Sequence, residues 1–392
     1  MALEQIASNI DAAHAQFAYY ALQEKFNIGW AINQLIAISL PLLLFFTGLG
    51  SSVYAFLIKR LKLWTIATFI YFFSIIFVVS ICQSLVIHHM LTIRAELDGS
   101  DVPPLLPFVA SQLPSAVLTS SLAALAGIVL CYILRRKNKL TWLWLSIVVS
   151  GLLSITLMLA PYFSNTQPLG NTPTENKIAA LAARAGIPRG QIAKEDCANS
   201  PDCPPGHVVG IGPTRVMLLD NRLTRKTPED QLIQVVAHEA KHYLLDNGIK
   251  PFATIFMVCI AVCLLTQMVF SPIGSRQSNR DNSLIAQAKS VPLVYGLGLA
   301  IFILLQPAIT TYRRHVEFEA DRFGLEFNKD NQALIEIMRV DATSNPMLLK
   351  YTPITKYFRA THPDISTRIE FAQTYQPWLH NQPMVYKQYF KE

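Results

Sequence analysis

Six stretches of this chain, residues 31–58, 63–87, 106–134, 140–163, 252–270 and 291–309, contain no Asp, Glu, Lys or Arg. Each is close to or beyond the roughly 20 apolar residues a helix needs to cross a bilayer. A soluble core would have to enclose six uncharged helices of that length, so the stretches read as membrane spans. Trp64, Trp142, Trp144 and Tyr162 stand near their ends, where amphipathic rings favour the membrane interface. Only 15% of the residues are charged, against about 25% in soluble proteins. That balance excludes a disordered chain and a soluble nucleic-acid binder. Six cysteines in 392 residues exclude a disulfide scaffold.

Charge sorts the loops. Lys59, Arg60 and Lys62 join the first two spans, Arg135, Arg136, Lys137 and Lys139 the third and fourth, and Arg276, Arg280 and Lys289 the last two. The remaining short loop carries Glu96, Asp98 and Asp101 against Arg94. The positive-inside rule places the three basic loops in the cytoplasm and the N-terminus outside. These basic residues exceed the formal net charge of +7, so the positive balance reports topology and not a nucleic-acid partner. Both larger polar blocks, 164–250 and 312–392, then face the outer compartment. For a bacterial inner membrane that is the periplasm.

The first thirty residues differ. Ile6, Ile10, Ala13, Phe17 and Ala21 recur at helical spacing among Glu4, Asp11, Glu24 and Lys25, which predicts a separate amphipathic helix over 1–30. Lacking a basic start, it does not read as a cleavable signal. The expected organisation is this helix, four spans over 31–163, a polar block over 164–250, two spans over 251–311, and a second polar block over 312–392. Cys197 and Cys203 lie in a polar loop assigned outside, where a disulfide is permitted. Two free thiols, or a metal site that also uses His207, are the alternatives.

The chemistry lies in the first block. Residues 227–248 predict one helix, with Thr227 as N-cap, Pro228 at the first position, Asp230 completing a capping box, and Asn247-Gly248 as the stop. Inside it stands His238-Glu239-Ala240-Lys241-His242. Positions i and i+4 share a face, so both imidazoles converge on one ion with Glu239 beside them. Neutral imidazole suits zinc, and three protein ligands plus water is the catalytic arrangement. A water on such an ion has a pKa near 7, and a carboxylate takes its proton during attack on a carbonyl. A third ligand has to come from elsewhere. Glu317 and Asp321, also i and i+4, follow the sixth span, while Glu319 points the other way. One of the pair would bind the ion and the other would accept a histidine N–H. His315 and His207 are weaker candidates.

Residues Val208-Val209-Gly210-Ile211 and Arg215-Val216-Met217-Leu218-Leu219 flank Gly212-Pro213-Thr214 and read as a hairpin. An edge strand there would hold an extended substrate through its main chain; a purely structural hairpin is the alternative.

Together these pieces resemble the integral-membrane zinc metallopeptidases that include the CAAX prenyl proteases and the HtpX-type quality-control proteases. The resemblance runs from Ile178–Pro188 through Gly210–Arg215, Leu218–Asp220 and His-Glu-x-x-His to Glu317-x-x-x-Asp321, Thr361-His362-Pro363 and Arg368. It covers about half the chain. It implies a multi-pass α-helical membrane protein of about six spans with an α+β, gluzincin-like catalytic domain built from the two polar blocks. It further implies one Zn2+ per chain on His238, His242 and Glu317, with Asp321 orienting a ligand, and His362 and Arg368 assisting at the oxyanion. The partners expected are the lipid bilayer and a polypeptide substrate, with no nucleic acid.

Two departures matter. Ala240-Lys241 stands where a Leu-Gly pair is common, and Lys241 would flank the zinc face, its charge either reaching solvent or favouring acidic or carboxy-terminal groups near the scissile bond. Pro205-Gly206-His207 stands where Asn-Ala-Tyr is frequent, so an Asn-mediated substrate contact is not carried over. The expected activity is a membrane metalloendopeptidase. The competing readings are a site-two-type intramembrane protease, whose motif would lie inside a span, and a catalytically silent zinc-binding membrane scaffold.

Overall fold

The computed structural model describes residues 2–98, 101–135, 140–163, 166–196, 204–246, 248–278 and 284–390; Cys197 and Cys203 lie outside them. The chain forms two compact units, residues 1–148 with 258–306 and residues 149–257 with 307–392. Among the described residues six helices are long and apolar enough to cross a membrane: Ala18–Phe46, Trp64–Ala95, Leu105–Leu134, Thr141–Tyr162, Lys250–Phe270 and Ala288–Asn328. The protein is a multi-pass helical membrane protein with a small mixed sheet.

The first unit begins with α1 (Ala2–Phe46), α2 (Leu49–Leu61), α3 (Trp64–Asp98) and α4 (Leu105–Arg135). The helix expected over 1–30 is not separate from the first span, because α1 runs through both without a break. The break falls later, inside the apolar run 31–58. Gly48 adopts φ +74°, a left-handed conformation that only glycine enters at little cost. The Thr47 hydroxyl also donates to the Leu43 carbonyl at 2.6 Å. The chain turns there, so the residues after 48 form the short α2 rather than more of the span. Apolarity alone could not reveal that turn. α3 packs along α4, burying Tyr71, Phe72, Ile75 and Ala124 with Tyr54 of α2. The Tyr54 hydroxyl and Thr68 Oγ1 form a 2.9 Å hydrogen bond, which pairs two polar groups in an apolar setting. Outward-facing Leu118, Leu122 and Leu125 of α4 are exposed, as lipid-facing residues should be.

The second unit takes in most of α5 (Thr141–Phe163), then β1 (Thr166–Pro168), α6 (Pro173–Arg184), β2 (Ile192–Glu195), β3 (Gly206–Val209), β4 (Val216–Asp220), α7 (Asn221–Lys226) and α8 (Glu229–Lys241). It continues through the start of α9 (Lys250–Ser278), the end of α10 (Leu284–Asn328), α11 (Asn331–Ser344) and α12 (Ile365–Thr374). The sheet order is β1-β2-β4-β3. β2 and β4 pair in parallel, and the other two pairs are antiparallel. β3 is therefore an edge strand. Ile178, Ile187, Met217, Leu219, Leu232, Val236 and Phe323 form the core joining sheet, α6, α8 and α10, each large aliphatic contributing about 1.5–3 kcal/mol.

α8 starts later than its sequence suggests. Pro228 is extended, at φ −54° and ψ 149°, and caps the helix without a side-chain bond; Thr227 instead closes α7. Glu229 and Asp230 in the first turn complement the helix dipole. The helix does not run on unchanged to 248. After Lys241 it widens into a π-helical turn, His242–Asp246, a rare geometry that concentrates at functional positions. α10, in contrast, continues unbroken past its apolar stretch to Asn328, carrying Glu317 and Asp321.

Candidate metal centre

α8 and its π-helical turn set His238 and His242 one above the other, with ring centroids 5.0 Å apart. Their Nε2 atoms lie 3.3 Å from each other. From α10, Glu317 brings Oε2 to 3.4 Å from His238 Nε2 and 3.3 Å from His242 Nε2. His362, three residues before α12, adds its Nε2 at 3.2 Å from the same oxygen. That oxygen is buried and makes no hydrogen bond, although three imidazole nitrogens surround it. Ligand atoms from His238, His242 and Glu317 all lie within 4.8 Å of one another.

The far side of each ring explains why the near sides converge. His238 Nδ1 donates to Asp321 Oδ1 at 3.1 Å, and His242 Nδ1 donates to Asp246 Oδ2 at 3.0 Å. With Nδ1 carrying the proton, each Nε2 presents its lone pair to a metal. Both carboxylates are held in turn by a cation. Arg368 grips Asp321 with two bonds, Nε to Oδ2 at 2.7 Å and Nη2 to Oδ1 at 2.6 Å. Lys241 Nζ donates to Asp246 Oδ2 at 2.6 Å. Two neutral imidazoles and a carboxylate with an open fourth position form the donor set of a catalytic zinc-type site. The charges agree with that fit. Among the described residues, the Glu239, Asp246, Glu317 and Asp321 carboxylates outnumber Lys241 and Arg368, the cations bonded to them, so the cluster favours a divalent ion. An orphaned, buried carboxylate oxygen stands where it would bind.

Several expectations change at this level. Lys241 does not flank a substrate cleft; it is 3% exposed and turned inward. Arg368 does not reach toward an oxyanion, because Asp321 takes up its fork. Asp246 escaped notice in the sequence, although it stands four residues after His242, the same spacing that singled out Glu317 and Asp321. Glu319 does turn away, accepting from Arg322 and from the Tyr386 hydroxyl. His315 is exposed, and His207 lies beside Glu195 with its Nε2 at 3.5 Å; neither joins the cluster. Val208 and Val209 lie in β3, whereas Gly210 is in the bend and Ile211 is buried beyond it. Glu239 is 6% exposed and packs beneath β3. A Cβ on Gly206 would sit 2.9 Å from Glu239 Cγ, so the missing side chain lets the edge strand pass close over this carboxylate.

Burial alone would push the His242 ring toward the neutral form, but the Asp246 and Glu317 carboxylates outweigh it and raise its pKa to about 10. Burial likewise opposes charge on His238, and Asp321 and Glu317 again raise it. Burial opposes the Asp246 carboxylate too, and His242 and Lys241 reverse the effect and lower its pKa. Raised imidazole pKa values mean that the metal-free protein holds protons where an ion would bind. Metal uptake then releases up to ~2 protons per ion at neutral pH, and affinity rises with pH up to about 10. In the metal-free protein the sign is opposite: the histidine–carboxylate pairs contribute fully below about 6.5 and that contribution is lost as pH approaches 10. Calorimetric titration in buffers of different ionisation heat reads the protons directly; identical heats in every buffer would refute the assignment.

Residues 168–376 match the profile of peptidase family M48. An uncharacterized metalloprotease, YhfN, of Bacillus subtilis is 24% identical over 87% of this chain and 83% of its own length. A CAAX prenyl protease 1 homolog of Dictyostelium discoideum is 27% identical over 57% of this chain. One from Oryza sativa is 22% identical over 58%. The chain spans about half the length of these prenyl protease homologues. The crystal structure of S. mikatae Ste24p aligns with 88% of this chain and 99% of that one, with a TM-score of 0.58 at 14% identity, so the fold is shared. The family match takes in α8, Glu317, Asp321, His362 and Arg368 and covers just over half of the residues: the chain belongs to peptidase family M48.

Proposed function

We propose that this metallopeptidase is a membrane-embedded zinc endopeptidase that cleaves membrane-associated or misfolded polypeptides, with one zinc ion per chain on His238, His242 and Glu317. The observation that carries this reading is the convergence of two carboxylate-tethered imidazoles on the orphaned Glu317 oxygen, with Glu239 beside them. A bound zinc-type ion supplies Lewis acidity and makes water acidic near neutral pH. Glu239 accepts the proton of the attacking water on its carboxylate and delivers it to the leaving amine. Asp321 and Asp246 keep the Nδ1 protons in place, and Arg368 keeps Asp321 charged. His362 Nε2, on the half-exposed side of the cluster, donates to the oxygen that becomes negative during attack. β3, an edge strand among the described residues, offers its main chain to an extended substrate, with Val208 to Ile211 making the contact.

The basic loops support an outer-facing site, on the periplasmic side of a bacterial inner membrane, and disfavour prenylated proteins processed in the cytoplasm as substrates. A site-two-type mechanism is disfavoured because the motif lies on α8, which is not one of the six apolar helices. A silent zinc scaffold would have no use for Glu239. Comparing membrane proteomes of cells making the wild type or Glu239→Gln tests the reading. Intact precursors should accumulate in the variant, with wild-type cuts confined to outer-facing or membrane segments. Identical fragment sets, or cuts confined to cytoplasmic segments, would overturn the activity or the sidedness respectively.

A further inference from the structure

Lys241 sits inside the metal-binding motif with its ammonium buried, an arrangement that is costly unless the charge is paired. Its two bonds lead to different elements. One goes to Asp246, the carboxylate that orients His242. The other, at 2.7 Å, goes to the backbone carbonyl of Val316 on α10, the residue directly before Glu317. A second link between the same elements, His238 Nδ1 to Asp321, meets α10 on the other side of Glu317. Glu317 is thus bracketed along its own helix by two tethers to the histidine-bearing element. Core packing and the Asn328–Asp230 bond hold α10 beyond Asp321, whereas on the Val316 side of Glu317 the Lys241 bond is the link to the histidine-bearing element among the described residues.

We propose that Lys241 is a positioning residue of the metal centre, which clamps Val316 to Asp246 and so fixes Glu317 against His238 and His242. The proposal rests on the metal-centre reading given above. It accounts for an internal lysine in the motif without assigning it to substrate. The amine acts through geometry, since a donor at that place is what the Val316 carbonyl requires.

The test uses the full chain purified in detergent and loaded with zinc or cobalt. Zinc release to a chromophoric chelator and the visible bands of the cobalt form are compared for the wild type, Lys241→Met and Lys241→Gln. Lys241→Met removes the donor, whereas Lys241→Gln loses the charge and keeps an N–H. Lys241→Met should release zinc at least ~10-fold faster and alter the cobalt bands, as loss of a partner behind the ligands does elsewhere. Lys241→Gln should recover most of the difference. A lysine that only stabilises the fold would lower the melting temperature of the metal-free protein and leave release and spectrum unchanged, which would overturn the proposal. Equal effects of Met and Gln would overturn it too, because charge and not tethering would then be at work. Should Lys241→Met fail to fold, Lys241→Ala, which removes the same amine with less bulk, carries the comparison. Glu317→Gln separates the two levels: if it and the wild type hold zinc equally, the metal-centre reading itself falls.

Discussion

Replacing Glu239 by Gln lowers peptide hydrolysis roughly a thousandfold while zinc stays bound. At about 1.4 kcal/mol per tenfold, that is ~4 kcal/mol of barrier. The substitution keeps the size and polarity of the side chain, so the close packing against Gly206 survives. It removes only the ability to take up a proton. Neither histidine relies on Glu239 for its Nδ1 partner, since Asp321 and Asp246 fill those places. Metal content by mass spectrometry and kcat on an unfolded polypeptide should therefore separate cleanly. Full activity in the variant would sink the mechanism, and lost metal would make Glu239 a structural residue instead.

Asp321→Ala has the second large effect, and it acts on two properties. Asp321 is fully buried, so its loss strands the Arg368 guanidinium without the carboxylate that accepts both of its fork bonds. Breaking one partner of a buried pair costs about 3–5 kcal/mol. The same change frees the His238 ring, which should weaken zinc about 10–100-fold. The double variant Asp321→Leu with Arg368→Met distinguishes the two contributions. An apolar pair of similar volume restores most of the stability but cannot orient His238, so melting recovers and zinc affinity does not. Equal recovery of both would mean that the carboxylate does not position the ring.

Local periodicity exposed the spans and the metal-binding helix, because charge-free runs and an i, i+4 pair need no knowledge of the fold. The turn at Gly48 was hidden by the same logic, since Thr47 and Gly48 interrupt a helix without adding charge. The role of Asp246 and the partners of Lys241 were hidden for a different reason. The π-helical turn changes which residues face one another after His242, and the second partner of Lys241 is a backbone carbonyl on α10. No residue pattern advertises a main-chain acceptor 75 positions away. Family resemblance assigned Arg368 to the oxyanion, whereas its bonds to Asp321 depend on the placing of α12 against α10, which no local pattern shows. The hairpin was legible, with its first strand two residues earlier than its apolar residues suggest.

The pairing of buried charges also bears on how such a protein takes up its metal. With both imidazoles protonated, the centre carries the same total charge as it does with two neutral rings and one divalent ion. Protonated histidines would stand in for the charge of the ion, so that a divalent metal would enter in exchange for two protons with no change in net charge.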